Sequence, residues 1–396
     1  MKPRYSFSSI FGALLLSLVV STLCVGSAIA SGGVEDSYHG QMGYGTGTGM
    51  LEKWCALPNF SYYQQDGIDG WTKQSCNNCH IGASWNPTKE TPDCTRCHVS
   101  ATPTIGNAEV ENSRCMTCHM KDTAKRGDIF EPEFDVHINA GFVCQDCHIR
   151  VTDGSSDHQF LKGTAMDTTE ETMMGTMSCT MSGCHAALPH SSETGKGKNL
   201  NGHLEKVACE TCHTGLRPAA ALKSRQWNVF NEAGVVKTTK HAPYWLPVHK
   251  WYDNTGPGAA GKFHLPILGF TERRDAEGAK IYPFNAVTVD WFVKRKNSDF
   301  DDVIIVPEVK AADANHDGTV TLEEMQAVNS KATLITADMN FSINHSVTPV
   351  SEAFICNDCH GKNAWVLDWN QLGYANDPRV GNSKGKGNGG GKKKDR

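Results

Sequence analysis

Seven times along this chain two cysteines close on a histidine: Cys76-Cys79-His80, Cys94-Cys97-His98, Cys115-Cys118-His119, Cys144-Cys147-His148, Cys179-Cys184-His185, Cys209-Cys212-His213 and Cys356-Cys359-His360. Six have the C-x-x-C-H spacing, and the fifth carries four residues, Thr180 to Gly183, between its cysteines. Nothing else in the sequence restricts the fold so strongly, because each unit commits three side chains to one centre. Two thiols so spaced add across the two vinyl groups of a haem, and the adjacent histidine is held under the macrocycle, where its imidazole reaches the iron. The longer spacer makes a wider loop between the thioethers.

Zinc ribbons and a disulfide framework also use paired cysteines, but neither requires histidine directly after every second cysteine. Histidine is 17 of 396 residues, so seven coincidences are not expected by chance. Fourteen of the 16 cysteines are thereby assigned to seven covalent haem c groups. Cys24 lies in the N-terminal apolar run. Cys55 could be an axial thiolate, half of an intermolecular disulfide or a buried thiol, and the inert buried thiol is favoured.

The first six motifs occupy residues 76–213, leaving about 23 residues per haem, too few to give each macrocycle its own apolar core. The haems must therefore pack against one another, and close packing implies electron transfer between them. A low-spin haem needs a second axial ligand. His137, His158, His190, His203 and His345 flank motifs and are the first candidates, followed by His39, His241, His249 and His264. A histidine only a few residues from a motif cannot reach around its own macrocycle. His137 before Cys144 and His203 before Cys209 should thus serve neighbouring haems.

Residues 214–355 form a haem-free insert rich in aromatics and proline, such as Tyr244-Trp245-Leu246-Pro247 and Ile281-Tyr282-Pro283-Phe284. Val287 to Val293 and Val303 to Val306 have strand character. Within the insert, residues 313–324 fit the twelve-residue EF-hand loop. Asp313, Asn315 and Asp317 stand at positions 1, 3 and 5, Gly318 at 6, Thr319 at 7, Thr321 at 9 and Glu324 at 12, a set that implies Ca2+. Glu323 to Asn329 can form the exiting helix, whereas Val303 to Pro307 makes a poor entering one. The expectation is a calcium-clamped surface loop and not a paired sensor.

Residues 1–30 carry Lys2 and Arg4, an apolar run from Ile10 to Val25, and Ala28-Ile29-Ala30, the layout of a secretory signal peptide, which places the protein in the periplasm or outside the cell. No other segment is apolar and long enough to span a bilayer. Residues 31–75 are a glycine-rich lead. Without Lys2 and Arg4 the chain has 36 basic against 43 acidic residues, and residues 31–378 have 29 against 42, a charge of −13 that does not suggest nucleic-acid binding. The basic tail, 379–396, reads as low-complexity and disordered, with a solubilising role favoured over an electrostatic tether.

Several ordered stretches resemble the octahaem tetrathionate-reductase-type cytochromes, relatives of multihaem nitrite reductases and hydroxylamine oxidoreductases. They are Asp135-Val136-His137 leading into Cys144-Gln145-Asp146-Cys147-His148, Leu200-Asn201-Gly202-His203 before Val207-Ala208-Cys209, Ala279-Lys280-Ile281-Tyr282-Pro283-Phe284, Asn344-His345, Leu372-Gly373-Tyr374 and Asp377-Pro378, spread over most of residues 76–380. The resemblance implies a coil and helical fold around clustered haems and, in some members, reduction of sulfur or nitrogen oxyanions at a lysine-ligated haem. Lys125-Arg126-Gly127-Asp128 resembles a Lys-His-Gly-Asp stretch of the family, which makes Lys125 a candidate catalytic distal ligand on the haem held by His98; a solvated lysine is the alternative. The chain departs from the family in having seven motifs, no Cys-x-x-Cys-Lys motif, and the EF-hand loop.

The expected fold is thus mostly α and irregular coil around clustered covalent haems, with a few short β-strands in 214–355 and a seventh haem segment at 356–378. The favoured function is an exported electron carrier between redox partner proteins, quinol-linked or other cytochromes, or towards an extracellular acceptor. The alternative is a terminal reductase of a small oxyanion such as tetrathionate, nitrite or hydroxylamine.

Overall fold

A computed structural model of the chain describes residues 97–98, 110–119, 126–151, 159–160, 177–181, 183–190, 196–231, 234–240, 244–252, 274, 277–295, 304 and 306–381. The helices are short. Among the described residues they are α1 (Asn112–His119), α2 (Val136–Asn139), α3 (Cys144–Cys147), α4 (Lys196–His203), α5 (Cys209–His213), α6 (Val306–Ala311), α7 (Leu322–Val328), α8 (Cys356–Cys359) and α9 (Pro378–Gly381). Four of them, α1, α3, α5 and α8, are themselves parts of cysteine motifs. None of the described helices is long and apolar enough to cross a membrane.

The strands are β1 (Arg150–Val151), β2 (Gln159–Phe160), β3 (Ala221–Asn231), β4 (Gly234–Lys240), β5 (Val248–Tyr252), β6 (Lys280–Val293) and β7 (Thr333–Ser342). β1 and β2 make a small antiparallel ribbon after the fourth motif. The other five form one sheet in the order β4-β3-β6-β5, with β7 also paired to β6. β3 runs parallel to β6 with Arg225 opposite Val289, while β5 and β7 are antiparallel to it, with Trp251 opposite Ile281 and Trp291 opposite Ile335.

β6 is a 14-residue strand where the sequence suggested only short ones. It is dense in β-branched and aromatic residues, and its burial is nearly continuous because both faces are covered, as in a central strand. Val287 to Val293 belong to it as expected. Of the expected strand Val303 to Val306, Val303 and Ile305 lie outside the described residues, Ile304 is in no strand, and Val306 opens helix α6. Pro307 sits in the first turn, where a proline sacrifices no intrahelical hydrogen bond, so an entering helix does precede the loop, but at Val306–Ala311, sharing only Val306 and Pro307 with the segment that read as a poor one.

β6 carries a separate apolar cluster at each end. At its start, Ile281 packs with Trp251, Ala279, Cys359, Val366, Leu367 and Leu372. At its end, Phe292 packs with Ile304, Val309, Ala312, Val320, Met325 and Ala332, which closes α6 and α7 against the sheet. The start of the strand also holds a motif segment: Ala208 donates to the Ile281 carbonyl at 3.0 Å, Thr211 Oγ1 reaches the same oxygen at 2.7 Å, and Ile281 donates to Lys206 at 2.8 Å. The haem-free insert is therefore the beam against which the sixth and seventh motifs are fixed.

Candidate functional site

Each described C-x-x-C-H unit closes as one turn of helix, which brings its two cysteines to one face. His148 donates its amide to the Cys144 carbonyl at 2.8 Å, and His360 to Cys356 at 2.9 Å. In the fourth and seventh motifs the aspartate before the second cysteine caps the turn, Asp146 accepting from Val143 at 2.7 Å and Asp358 from Ile355 at 2.8 Å. The expanded fifth motif closes in the same way. His185 donates to Cys179 at 3.0 Å, and the two extra residues are absorbed in a loop whose Gly183 has φ +88°.

Successive motifs meet through their cysteines. The Cys115 and Cys144 thiols are hydrogen-bonded, which pushes Cys115 up and Cys144 down to about 6, and Cys97 lies within Coulombic reach of Cys115. Cys147 feels Cys184, and Cys179 is hydrogen-bonded to Cys209, pulling the latter to about 7. Burial and then the neighbouring thiols push Cys212 up to about 11 and Cys359 up to about 12; each feels the other motif's sulfur. The motifs from the second to the seventh thus follow one another in space as they do along the chain.

Four motif histidines face a second imidazole. His148 lies 6.2 Å from His345 between ring centres, His185 6.1 Å from His137, His213 6.3 Å from His190 and His360 6.0 Å from His203. The partners cross between motifs: His137, beside the fourth motif, faces the fifth, and His203, beside the sixth, faces the seventh. Burial lowers the pKa of both His203 and His213, favouring the neutral ring that can donate a lone pair.

One imidazole of each pair has a side-chain oxygen near its Nδ1, as a hydrogen bond for His360 and His190 and as a longer charge contact for His345 and His137. Asp377 Oδ1 is 2.8 Å from His360 Nδ1, and Asn201 Oδ1 is 3.2 Å from His190 Nδ1. Asp128 Oδ2 is 3.4 Å from His345 Nδ1, and Asp135 Oδ1 is 3.5 Å from His137 Nδ1. Asp128 is fully buried and also bonded to the buried Arg217, whose guanidinium donates further to the carbonyls of Thr214 at 3.0 Å and His345 at 3.2 Å. None of these backing groups was picked out from the sequence as functional. Asp128, Asn201 and Asp377 all lie in stretches that carry the family resemblance.

These distances test whether haem fits. Two imidazoles on opposite faces of one metal, with metal–nitrogen bonds of about 2.0 Å, stand about 6.3 Å apart between ring centres. All four pairs fall close to that separation. Large apolar side chains also stand exposed beside the motifs, among them Val143, Ile149, Leu188 and Ile355, the kind of surface a macrocycle covers. The donor set fits haem c. Among comparisons with known proteins, residues 261–363 match the family model described as "Cytochrome c bacterial", a span that includes the seventh motif. No curated protein matches the chain. The crystal structure of an octaheme cytochrome c from Shewanella oneidensis matches over 85% of this chain and 92% of that one, with a TM-score of 0.55 and 21% identity. These findings support a multihaem c-type cytochrome.

Of the sites expected from the sequence, several lie outside the described residues: Cys76, Cys79, His80, Cys94, Lys125, His39, His158, His241 and His264, together with Cys55, residues 1–75 and most of the basic tail. The side chain of Cys118 does too. His249 is described and is 4% exposed, with neither ring nitrogen in a hydrogen bond, and burial pushes it down to about 4. It sits on β5 beside the Trp251 cluster and faces no motif imidazole among the described residues.

The EF-hand-like segment lies between α6 and α7, so it has a helix on both sides. Asp313 Oδ2 accepts from Gly318 at 3.1 Å, Asn315 Oδ1 from Asp317 at 2.9 Å and Asp317 Oδ1 from Thr319 at 2.7 Å. His316 and Gly318 take positive φ, 58° and 82°, which coils the backbone inward. Glu324 Oε2 accepts from the Thr321 amide at 2.9 Å and lies 3.0 Å from its hydroxyl, and the amide bond holds its carboxyl below the ordinary range. Asp313 is 8% exposed, yet its Oδ1 is buried with no hydrogen-bond partner.

Proposed function

We propose that the protein is an exported electron conduit that carries seven haem c groups and passes electrons between redox partner proteins, quinol-linked or other cytochromes, or on to an extracellular acceptor. The observation that carries this reading is the set of four facing imidazole pairs, each at the separation that two axial ligands of one iron require. In that reading His345, His137, His190 and His203 are the distal ligands opposite His148, His185, His213 and His360. Haem held by these residues would supply a one-electron ferric/ferrous couple. The chain's own part is to orient one imidazole of each pair by a nearby side-chain oxygen, to favour neutral His203 and His213 by burial, and to hold consecutive motifs in contact. The family resemblance supports clustered haems, and the basic tail is read as solubilising.

Electron paramagnetic resonance of the oxidised protein tests it. Bis-histidine low-spin signals for at least four haems are expected, with a mass increment for seven covalent haems. A high-spin or histidine/lysine signal lost on changing Lys125, together with reoxidation of the reduced protein by tetrathionate, nitrite or hydroxylamine, would replace the conduit with a terminal reductase.

The second cofactor in this reading is Ca2+, held by Asp313, Asn315, Asp317, Thr319, Thr321 and Glu324. The buried, unpartnered Asp313 Oδ1 supports it, since a carboxylate oxygen shielded from water costs free energy unless something positive meets it. Calorimetric titration of the chelator-treated protein with Ca2+ should show one site that Asp313→Ala removes. Equal thermal stability in Ca2+ and in chelator would sink the assignment.

A further inference from the structure

We propose that the side chains backing the ligand imidazoles grade the haem potentials, and in particular that Asp377 holds the haem on His360 below the potential of the neighbouring haem on His213, which is backed through His190 by the neutral Asn201. This rests on reading the facing imidazoles as axial pairs. The two centres are adjacent: Phe354 donates to the Cys212 carbonyl at 3.1 Å and Thr348 to the His213 carbonyl at 2.7 Å.

A ligand imidazole whose Nδ1–H is given to a carboxylate gains basicity and donates more strongly to the metal, which favours ferric over ferrous iron. An amide oxygen carries no net charge and polarises the ring less. Asp377 is the strongest such acceptor among the four, at 2.8 Å. Its remaining hydrogen bonds come from the neutral amides of Gly361, at 2.6 Å, and Arg379, at 2.9 Å, which orient the carboxylate and leave its charge facing the ring. His360 is held against it by a stacked Trp369, 5.1 Å between centres and 23° between planes, whose Nε1 is tied to the Cys359 carbonyl at 2.9 Å.

Asn201 is positioned just as firmly but with the opposite electrostatics. Its Nδ2 donates to the His190 carbonyl at 2.7 Å and its Oδ1 accepts the His190 amide at 3.1 Å, so the amide oxygen is the face turned to Nδ1. The charge of Asp128, behind His345, is shared with Arg217. Asp135, also bonded to backbone amides, lies farther from its ring, 3.5 Å from His137 Nδ1. Asp377 and Asn201 therefore mark the two ends of the series. They are positioning residues that act through the imidazoles.

Potentiometric titration of the full haem-loaded protein, followed optically and by electron paramagnetic resonance, tests the inference. Asp377→Asn should raise the midpoint of one haem while its low-spin bis-histidine signal persists. Asn201→Asp should lower the midpoint of a different haem, testing the rule from the other side should the first variant fold poorly. Unmoved midpoints in either folded variant, with bis-histidine signals intact, would overturn the grading alone. Absence of those signals from the unmodified protein would overturn the axial-pair reading beneath it.

Discussion

The His185 amide bonds to the Cys179 carbonyl at 3.0 Å, the closure that His148 makes onto Cys144 at 2.8 Å, although the fifth motif is two residues longer. What the motif conserves is the return of the histidine over the first cysteine, and the intervening length is free if the backbone can turn back. Gly183, at φ +88° with open space around its Cα, supplies that turn. Gly183→Val should therefore act through backbone strain, of order 1–2 kcal/mol in the folded turn, and not through a clash. Mass spectrometry should show a larger share of chains short of one haem, with the other attachments unaffected.

Arg217 and Asp128 are both fully buried, and together they join the sixth motif, at Thr214, to the backbone and ring of His345. Arg217→Met leaves Asp128 without its cation in the interior, a loss of about 3–5 kcal/mol. Adding Asp128→Asn should recover part of that loss, because the uncompensated charge goes with it. Urea denaturation of the two variants checks the order. If the double variant is no more stable than the single one, the pair is not the source of the loss.

The repeated cysteine–histidine units, and the placing of His137 and His203 beside the histidine of another unit, were legible because residue type and spacing are set locally. The specific partner of each imidazole was not. His345 meets His148 across almost two hundred residues, through a strand order and a buried Asp128–Arg217 contact that no local pattern encodes. Likewise, the heptapeptide Val287 to Val293 announced a strand, but the extension of β6 back to Lys280, through Pro283, depends on pairing with β5. Helix α6 was missed because a valine-rich segment ending in proline suits a strand as well as a first helical turn, and packing of Val309 and Ala312 onto Phe292 decides between them.

That packing yields its own prediction. Met325, on α7, is 1% exposed and plugs the cluster that closes both helices onto the end of β6. Met325→Ala should cost about 2–5 kcal/mol, the range for truncating a buried methionine. Because the loop is also tied to β3 through Val320, which donates to Asn228 at 2.8 Å, hydrogen exchange should quicken in 306–328 and in β3. The amides of α5, at the far end of β6, should be unaffected. Uniform acceleration across both ends would mean that the sheet unfolds as one unit.

His249 sets a pH dependence. Burial holds its pKa at about 4, against an ordinary value of 6.5. Between those values the unfolded chain takes up a proton that the folded chain refuses, so stability rises with pH through this window. It is fully present above pH 6.5 and drains away as the pH falls towards 4, by about 3 kcal/mol if the whole shift is realised. His249→Leu, which keeps the β5 strand apolar beside Trp251, should flatten this part of the curve. Denaturation midpoints of both proteins at intervals from pH 7 to pH 4 make the comparison; parallel curves would show that His249 is not the titrating group.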